Sequence, residues 1–223
     1  MIVNHLVIVA GGSGQRMGGG LPKQFTLLAG KPILLHTLEA FHNAAVVDDI
    51  ILVLPQDHIP TWQQIVENGA VDIPHKICAG GSERTFSVMK GLDLLPDEGV
   101  VGIHDGVRPL LSKEMISHCF SEAAKNDSAI PVTPIKASLR RKTEHGSEAV
   151  DRNDYFEVQT PQCFSLSKLK SAYAQIENKI VTDDAAVFEL AGNKVHLVDG
   201  EESNIKITTS TDLKIAEALL ASE

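Results

Sequence analysis

Hydrophobic positions along the chain fall into two alternating patterns. Short, nearly uninterrupted apolar runs rich in β-branched residues predict buried strands at 5–10, 50–55, 75–79, 100–105 and 128–135. Between these runs, apolar residues recur every three or four positions, which predicts amphipathic helices over 32–45, 84–95 and 112–126. Two further short segments, "KVHLVDG" at 194–200 and "NIKITT" at 204–209, precede a last predicted helix over 211–222. This alternation predicts an α/β fold with a mainly parallel sheet and helices on both faces.

The segment 136–154 interrupts the alternation because it contains few apolar residues. Two polar, partly alternating stretches flank a turn signal at His145-Gly146-Ser147, which predicts a projecting β-hairpin arm. An isolated two-stranded hairpin is only marginally stable in water. We therefore expect the arm to rest on a second subunit; a surface loop is the alternative interpretation.

Composition and charge narrow the class of protein. The chain has 223 residues, of which 43% are hydrophobic and 22% charged, as expected for one globular domain. Its formal charge of -9 argues against a general affinity for nucleic acid or anionic membranes. No apolar run reaches the roughly 18 residues of a membrane span, and the first strand begins without a signal peptide. With three scattered cysteines outside any C-x-x-C pair, the sequence predicts a cytoplasmic protein.

A glycine-rich stretch, "VAGGSGQRMGGGLPKQ", follows the first predicted strand and contains Arg16 and Lys23 as its only charges. In α/β sheets, ligands bind beyond the carboxyl ends of the strands, where glycines let backbone N–H groups surround phosphate oxygens. The spacing departs from a dinucleotide fingerprint because Met17 stands where glycine is needed, and from a Walker A loop because Gln24 follows Lys23. We interpret the stretch as a phosphate-binding loop; a flexible turn is the alternative.

The remaining sequence contains no G-x-S-x-G, no H-E-x-x-H and no zinc-type Cys/His spacing. Instead, this acidic chain places basic residues within or beside its glycine and turn motifs: Arg16, Lys23, Arg84, Arg108, Arg152 and Lys206. A transferase whose substrate phosphate is itself the nucleophile needs positioning and charge neutralisation rather than a nucleophilic side chain. The pattern suits anionic substrates, although Arg84 and Arg108 could equally be ordinary surface charges.

Six motifs in series carry a family resemblance: "AGGSGQRMGGGLPKQ", "GGSERTFSVMKGL", "IHDGVRP", "VDRNDYFEVQTPQCF", "TDDAAVFELAG" and "NIKITTSTDL". In this order and spacing they resemble the IspD family, the 2-C-methyl-D-erythritol 4-phosphate cytidylyltransferases of the non-mevalonate isoprenoid pathway. The resemblance implies a single Rossmann-like nucleotidyltransferase domain over 1–223, with a dimerisation arm at about 136–156. It also implies that CTP and the polyol phosphate react to give 4-CDP-2-C-methyl-D-erythritol and pyrophosphate.

The same resemblance implies residue roles. Arg16 and Lys23 would contact the CTP phosphates and stabilise charge on the α-phosphorus, while Lys206 and Arg152 would position the acceptor phosphate. Ala10, Gly11, Gly12 and Gly14 would line the nucleotide loop, and Gly81, Ser82 and Ser87 would face the cytosine. The other implied substrate contacts are Asp105, Gly106, Arg108, Ser138 and Thr160. Asp105 would meet the ribose and the Mg²⁺ that bridges the triphosphate oxygens.

Several alternatives stay open at this point. "TDDAA" could bind metal, but Thr182 and two aspartates before an apolar helix favour a helix N-cap. His104 is interpreted as structural, because the attacking phosphate is already ionised at neutral pH. The arm reads Ala137-Ser138 where the family usually has an acidic residue before the hydroxyl, which weakens the assignment of the acceptor. Two alternative functions remain: a ribitol 5-phosphate cytidylyltransferase, or a catalytically silent sugar-nucleotide-binding subunit. A third, a Rossmann oxidoreductase, is opposed by the spacing of the glycine-rich loop.

Overall fold

The structure is a computed structural model that describes residues 2–11, 22–70, 72–176 and 181–221. Within these ranges the strands are β1 (Asn4–Val9), β2 (Leu27–Leu28), β3 (Lys31–Pro32), β4 (Asp49–Leu54), β5 (Lys76–Ala79), β6 (Val100–Asp105), β7 (Ser128–Pro134), β8 (Leu139–Thr143), β9 (Gly146–Val150), β10 (Phe156–Val158), β11 (Gln162–Ser165) and β12 (Leu197–Asp199).

The α-helices of the described residues are α1 (Ile33–Ala44), α2 (Ile59–Ile65), α3 (Arg84–Leu92), α4 (Lys113–Asn126), α5 (Leu166–Gln175), α6 (Asp184–Leu190) and α7 (Ser210–Leu220). Short 3-10 turns cover Lys23–Phe25, Gln56–His58 and Arg152–Asp154, and a π-helical turn covers Val66–Ala70. None of these helices is both long enough and apolar enough to cross a membrane.

The central sheet has the strand order β10-β7-β11-β6-β1-β4-β5, with β12 also paired to β7. Strands β6, β1, β4 and β5 run parallel, whereas β11 is antiparallel to both β6 and β7. The register pairs Val9 with both Asp105 and Val53, so the carboxyl ends of β1, β4 and β6 lie side by side. Residues that follow these strands are thereby brought to one edge of the sheet.

Helices cover both faces of this sheet, as the sequence predicts. Along β1, Leu6 and Ile8 belong to the core on the side of α1 and α4, whereas Val7 and Val9 belong to the core on the side of α3 and α5. Successive side chains of a strand point to opposite faces, so an uninterrupted apolar run is required when both faces are covered. The structure therefore confirms the predicted α/β class.

The polar segment after β7 forms a two-stranded antiparallel hairpin of its own, from the pair Leu139 and Val150 to the pair Thr143 and Gly146. Its turn lies at 144–145, slightly before the predicted position. Arg141 forms an ion pair with Glu148 across the hairpin, and most of its side chains are exposed. Cross-strand pairs of this kind contribute little energy, so the expectation that a second subunit supports the arm stays a prediction.

Candidate active site

A cavity of about 240 Å³ opens at the edge of the sheet where β1 and β6 end. Its lining joins the described part of the glycine-rich loop, the start of α3, the end of β6 and the segment before α7. The lining residues are Val9, Ala10, Gly11, Lys23, Gly81, Ser82, Glu83, Arg84, Ser87, Asp105, Val107 and Lys206. Segments far apart in the sequence thus form one concave site rich in cations.

Asp105 lies at the centre of this site, with its side chain 10% exposed. Lys206 Nζ lies 2.8 Å from Asp105 Oδ2, and Arg84 Nε donates to Asp105 Oδ1 at 3.3 Å. The guanidinium of Arg108 approaches the same carboxylate, with 3.7 Å between Nε and Oδ2. Burial alone would raise the pKa of Asp105, but Arg84 and Lys206 hold it well below its usual range. The carboxylate is therefore ionised at neutral pH.

The cations around Asp105 differ in how firmly they are held. Arg108 donates to the carbonyl oxygen of Asn204 at 2.7 Å and is almost fully buried, so it lies behind Asp105 rather than on the cavity wall. Lys206 keeps a side chain that is 40% exposed. Because both arginines pair with buried or nearly buried carboxylates, the alternative that Arg84 and Arg108 are ordinary surface charges is wrong.

His104 precedes Asp105 in β6 and is completely buried. Thr160 Oγ1 accepts from the backbone N–H of Asp105 at 3.1 Å and lies 3.0 Å from His104 Nδ1. The other ring nitrogen, Nε2, lies 3.0 Å from the carbonyl oxygen of Arg108 and can donate to it. Burial lowers the pKa of His104 to about 4, so the ring is neutral. These contacts agree with the structural role predicted for it.

The residues predicted to face the cytosine form a polar turn before α3. Ser87 Oγ accepts from the backbone N–H of Gly81 at 3.1 Å and donates to the carbonyl oxygen of Glu83 at 3.0 Å. Gly81 leaves no room for a side chain, since a Cβ there would lie 2.4 Å from Phe86 Cβ. These contacts hold the turn in one conformation at the cavity wall, as expected for a largely pre-formed pocket.

The structure brings together most of the residues proposed from the sequence. Ala10, Gly11, Lys23, Gly81, Ser82, Ser87, Asp105 and Lys206 line the cavity. Gly106 and Thr160 lie directly behind it: a Cβ at Gly106 would lie 2.9 Å from Ala10 Cβ. Ser138 immediately precedes β8, and Arg152 follows shortly after β9. Both are exposed, and neither lines the cavity of its own subunit. Gly12, Gly14 and Arg16 lie outside the described residues, so their roles stay predictions.

The two aspartates of "TDDAA" have separate roles. Asp183 is the N-cap of α6, with Oδ1 accepting from the backbone N–H of Ala186 at 2.9 Å. Asp184 is fully buried and binds Arg84 at 2.7 Å. No group of three potential metal ligands occurs among the described residues. The predicted cap is thus confirmed for Asp183, whereas the ion pair of Asp184 was missed because no local pattern connects residues 84 and 184.

The donor set of the cavity can be compared with the needs of Mg²⁺. This ion usually takes one or two carboxylates and completes its octahedron with phosphate oxygens and water. Asp105 and Glu83 are the carboxylates on the cavity wall. These residues fit a Mg²⁺ ion that arrives with a triphosphate, with Asp105 as the protein ligand, better than an ion held by the protein alone.

A mainly parallel sheet with a cation-lined cavity beyond its strand ends is typical of α/β nucleotide-binding proteins. The family model of 2-C-methyl-D-erythritol 4-phosphate cytidylyltransferase, IspD, matches residues 4–222. The chain belongs to this family, which confirms the resemblance seen in the six motifs.

Relatives and solved structures agree with this assignment. A 2-C-methyl-D-erythritol 4-phosphate cytidylyltransferase from Bacteroides fragilis is 52% identical over 214 residues, or 96% of this chain and 98% of the relative. One from Clostridium acetobutylicum is 40% identical and covers 98% of this chain and 97% of its own. The crystal structure of 4-diphosphocytidyl-2C-methyl-D-erythritol synthase from Anaerococcus prevotii matches with a TM-score of 0.86, at 31% identity over 99% of this chain and 96% of that one.

Proposed function

We propose that this enzyme transfers the cytidylyl group of CTP to 2-C-methyl-D-erythritol 4-phosphate, with release of pyrophosphate. The observation that carries the proposal is the cavity, where Lys23, Arg84 and Lys206 surround a site in a protein of net charge -9. Fixed cations in an otherwise acidic protein concentrate anionic substrates at this place. Membership of the IspD family supplies the particular nucleotide and acceptor.

The reaction needs no nucleophilic side chain. An oxygen of the acceptor phosphate forms a bond to the α-phosphorus of CTP, and the bond from that phosphorus to the bridging oxygen breaks, so pyrophosphate leaves with the bridging oxygen. Lys23 and Lys206 neutralise the charge that develops on the phosphate oxygens. Asp105 orients the ribose and is the residue that would hold Mg²⁺, which would supply charge neutralisation for the triphosphate. Arg16 adds a further cation in the proposed loop.

The acceptor side of the site requires a second subunit in this proposal. Arg152 and Ser138 are exposed, and the Arg152 guanidinium donates to the carbonyl oxygen of Lys136, at the base of its own arm. A homodimer in which the arms clasp would bring Arg152 of one subunit to the cavity of the other.

A cytoplasmic location is also part of the proposal, supported by the three free thiols Cys78, Cys119 and Cys163.

Pyrophosphate release tests the proposal directly. The purified protein is incubated with CTP, Mg²⁺ and either 2-C-methyl-D-erythritol 4-phosphate or ribitol 5-phosphate, and a parallel reaction contains excess EDTA. We expect turnover with the methylerythritol phosphate that EDTA abolishes. Faster turnover with ribitol 5-phosphate would assign the other acceptor, and nucleotide binding without turnover on either acceptor would indicate a silent binding subunit.

A further inference from the structure

A second carboxylate lies behind the cavity and does not contact it. Asp184 is fully buried at the start of α6, and its Oδ2 lies 2.7 Å from a terminal nitrogen of Arg84. Its other oxygen, Oδ1, accepts from the hydroxyl of Tyr173 at 2.6 Å. The backbone N–H groups of Asp184 and Ala185 both donate to Gln162 Oε1, at 3.0 and 2.9 Å. Helix α5, strand β11 and helix α6 thus fix this carboxylate.

Arg84 connects the buried carboxylate to the active site. One of its terminal nitrogens binds Asp184, and its Nε donates to Asp105. Burial alone would lower the pKa of Arg84, but Asp184 and Asp105 raise it above its ordinary value. A planar guanidinium held at two of its nitrogens has a fixed orientation, which a lysine ammonium could not reproduce.

When an anionic ligand enters the cavity, Lys206 is free to leave Asp105 but Arg84 is not. Lys206 is 40% exposed and carries its charge on a flexible stem, so it can move from Asp105 to a phosphate oxygen. Arg84 cannot follow without leaving Asp184 with an unpaired charge in a buried position, which is strongly unfavourable. Asp105 therefore keeps its hydrogen bond with Arg84, and its longer contact with the buried Arg108, while Lys206 changes partner.

We propose that Asp184, together with Tyr173, is a positioning residue that holds Arg84 on Asp105 during turnover, while Lys206 transfers to the substrate. This inference rests on the proposed cytidylyl transfer for its kinetic consequences, but the position of Arg84 can be measured without any substrate. Neither Asp184 nor Tyr173 lines the cavity, so neither would touch the substrates.

Kinetics of Asp184→Asn test the proposal against Asp183→Asn, a matched control on the neighbouring carboxylate. Asp183 caps α6 through Oδ1 and accepts from Gln162 Nε2 through Oδ2 at 3.2 Å, and it does not contact Arg84. Asparagine caps a helix as well as aspartate does, so Asp183→Asn gives up only the longer contact with Gln162. We expect Asp184→Asn to lower kcat by roughly 10–100-fold, the usual effect of losing a partner behind a site residue, with CTP affinity changed less than kcat. Asp183→Asn should keep kcat near the wild-type value.

A double-mutant cycle with Arg84→Lys separates positioning from a general structural effect. Lysine keeps the charge but cannot bridge two carboxylates, so Asp184→Asn should cause little further loss of kcat in that background.

Tyr173→Phe retains the ring in the core, removes only the hydroxyl that donates to Asp184, and should lower kcat several-fold. This variant keeps the test valid if Asp184→Asn does not fold.

An NMR measurement gives a readout that does not depend on catalysis. The Nε–H signal of Arg84, assigned by its loss in Arg84→Lys, should exchange slowly with water in the wild type and faster in Asp184→Asn or Tyr173→Phe, but not in Asp183→Asn. Unchanged exchange in both test variants, or additive kcat losses in the cycle, would overturn the proposal. If the wild type failed to transfer cytidylate while the exchange pattern held, the proposed reaction would be wrong but the positioning role would stand.

Discussion

Lys23 lines the cavity together with Gly11 and Asp105, and in the sequence it stands near the end of the glycine-rich stretch. A cation fixed near phosphate oxygens is most effective where charge develops during attack. Lys23→Ala should therefore lower kcat by about 10²–10³-fold, the typical effect of removing one preorganised contact to developing charge. The measurement is steady-state pyrophosphate release at saturating CTP.

Lys31→Ala is the matched control, because Lys31 pairs with Glu39 outside the cavity. A surface pair of this kind contributes little, so this variant should keep normal turnover. Near-normal turnover of Lys23→Ala would contradict the role assigned to the loop.

His104 makes the stability of the protein depend on pH. Burial lowers its pKa from 6.5 to about 4, so below pH 6.5 the unfolded chain binds a proton that the folded protein does not. The free energy of unfolding should thus fall as the pH decreases from 6.5 to 4, by about 3 kcal/mol for this residue. Above pH 6.5 this contribution is constant.

Urea unfolding of the wild type and of His104→Gln, between pH 4.5 and 7.5, isolates this effect. At pH 7.5 the variant should be less stable than the wild type, because it loses the packing of the ring on Phe41. Since glutamine cannot be protonated, this difference should shrink toward pH 4.5. All other titrating groups cancel in the comparison. Parallel pH profiles would show that His104 titrates at its ordinary pKa in the folded protein.

Among the elements, α3 carries Arg84 to the cavity because it packs unusually close to the sheet. A Cβ at Gly91 would lie 2.5 Å from Val7 Cγ1 and 3.1 Å from Val53 Cγ2. In a helix, alanine is favoured over glycine by about 1 kcal/mol, but overpacking a core costs about 1–3 kcal/mol. Valine side chains have little freedom to move aside. Gly91→Ala should therefore lower the free energy of unfolding by about 1 kcal/mol in urea titrations; a stabilised variant would show that α3 shifts at no cost.

The elements also show what the hydrophobic pattern can and cannot predict. Buried strands such as β1 and β6 were predicted almost to the residue, since both of their faces lie against helices. Strand β11 was missed because it has only four residues, and its position is set by pairing with β6 and β7 rather than by its own pattern. The segment 204–209 alternates isoleucine with polar residues yet forms no strand. Ile207 is buried, and its backbone N–H donates to the carbonyl oxygen of Val107.

In the whole molecule, the local motifs predicted the members of the site but not their connections. The glycines after β1 indicated a phosphate site that includes Lys23, whereas Asp105 and Lys206 were assigned to it by the family resemblance. All three line the same cavity. The contact between Arg84 and Asp184 joins residues 100 positions apart. Such a contact depends on how α3 and α6 pack on the same face, which a single sequence does not specify.

The proposed division of the site between two subunits leads to a last prediction. If Arg152 acts on the partner's cavity, Lys23→Ala and Arg152→Ala subunits should restore activity when mixed, because each heterodimer contains one cavity with Lys23 that receives Arg152 from the partner. Random exchange would give about a quarter of wild-type activity, since half of the dimers are mixed and each has one intact site. Lys23→Ala mixed with Lys206→Ala is the control: both residues line the same cavity, so no intact site forms. If the first mixture stays as inactive as its parents after subunit exchange has been verified by mass spectrometry, Arg152 serves its own subunit or no acceptor at all.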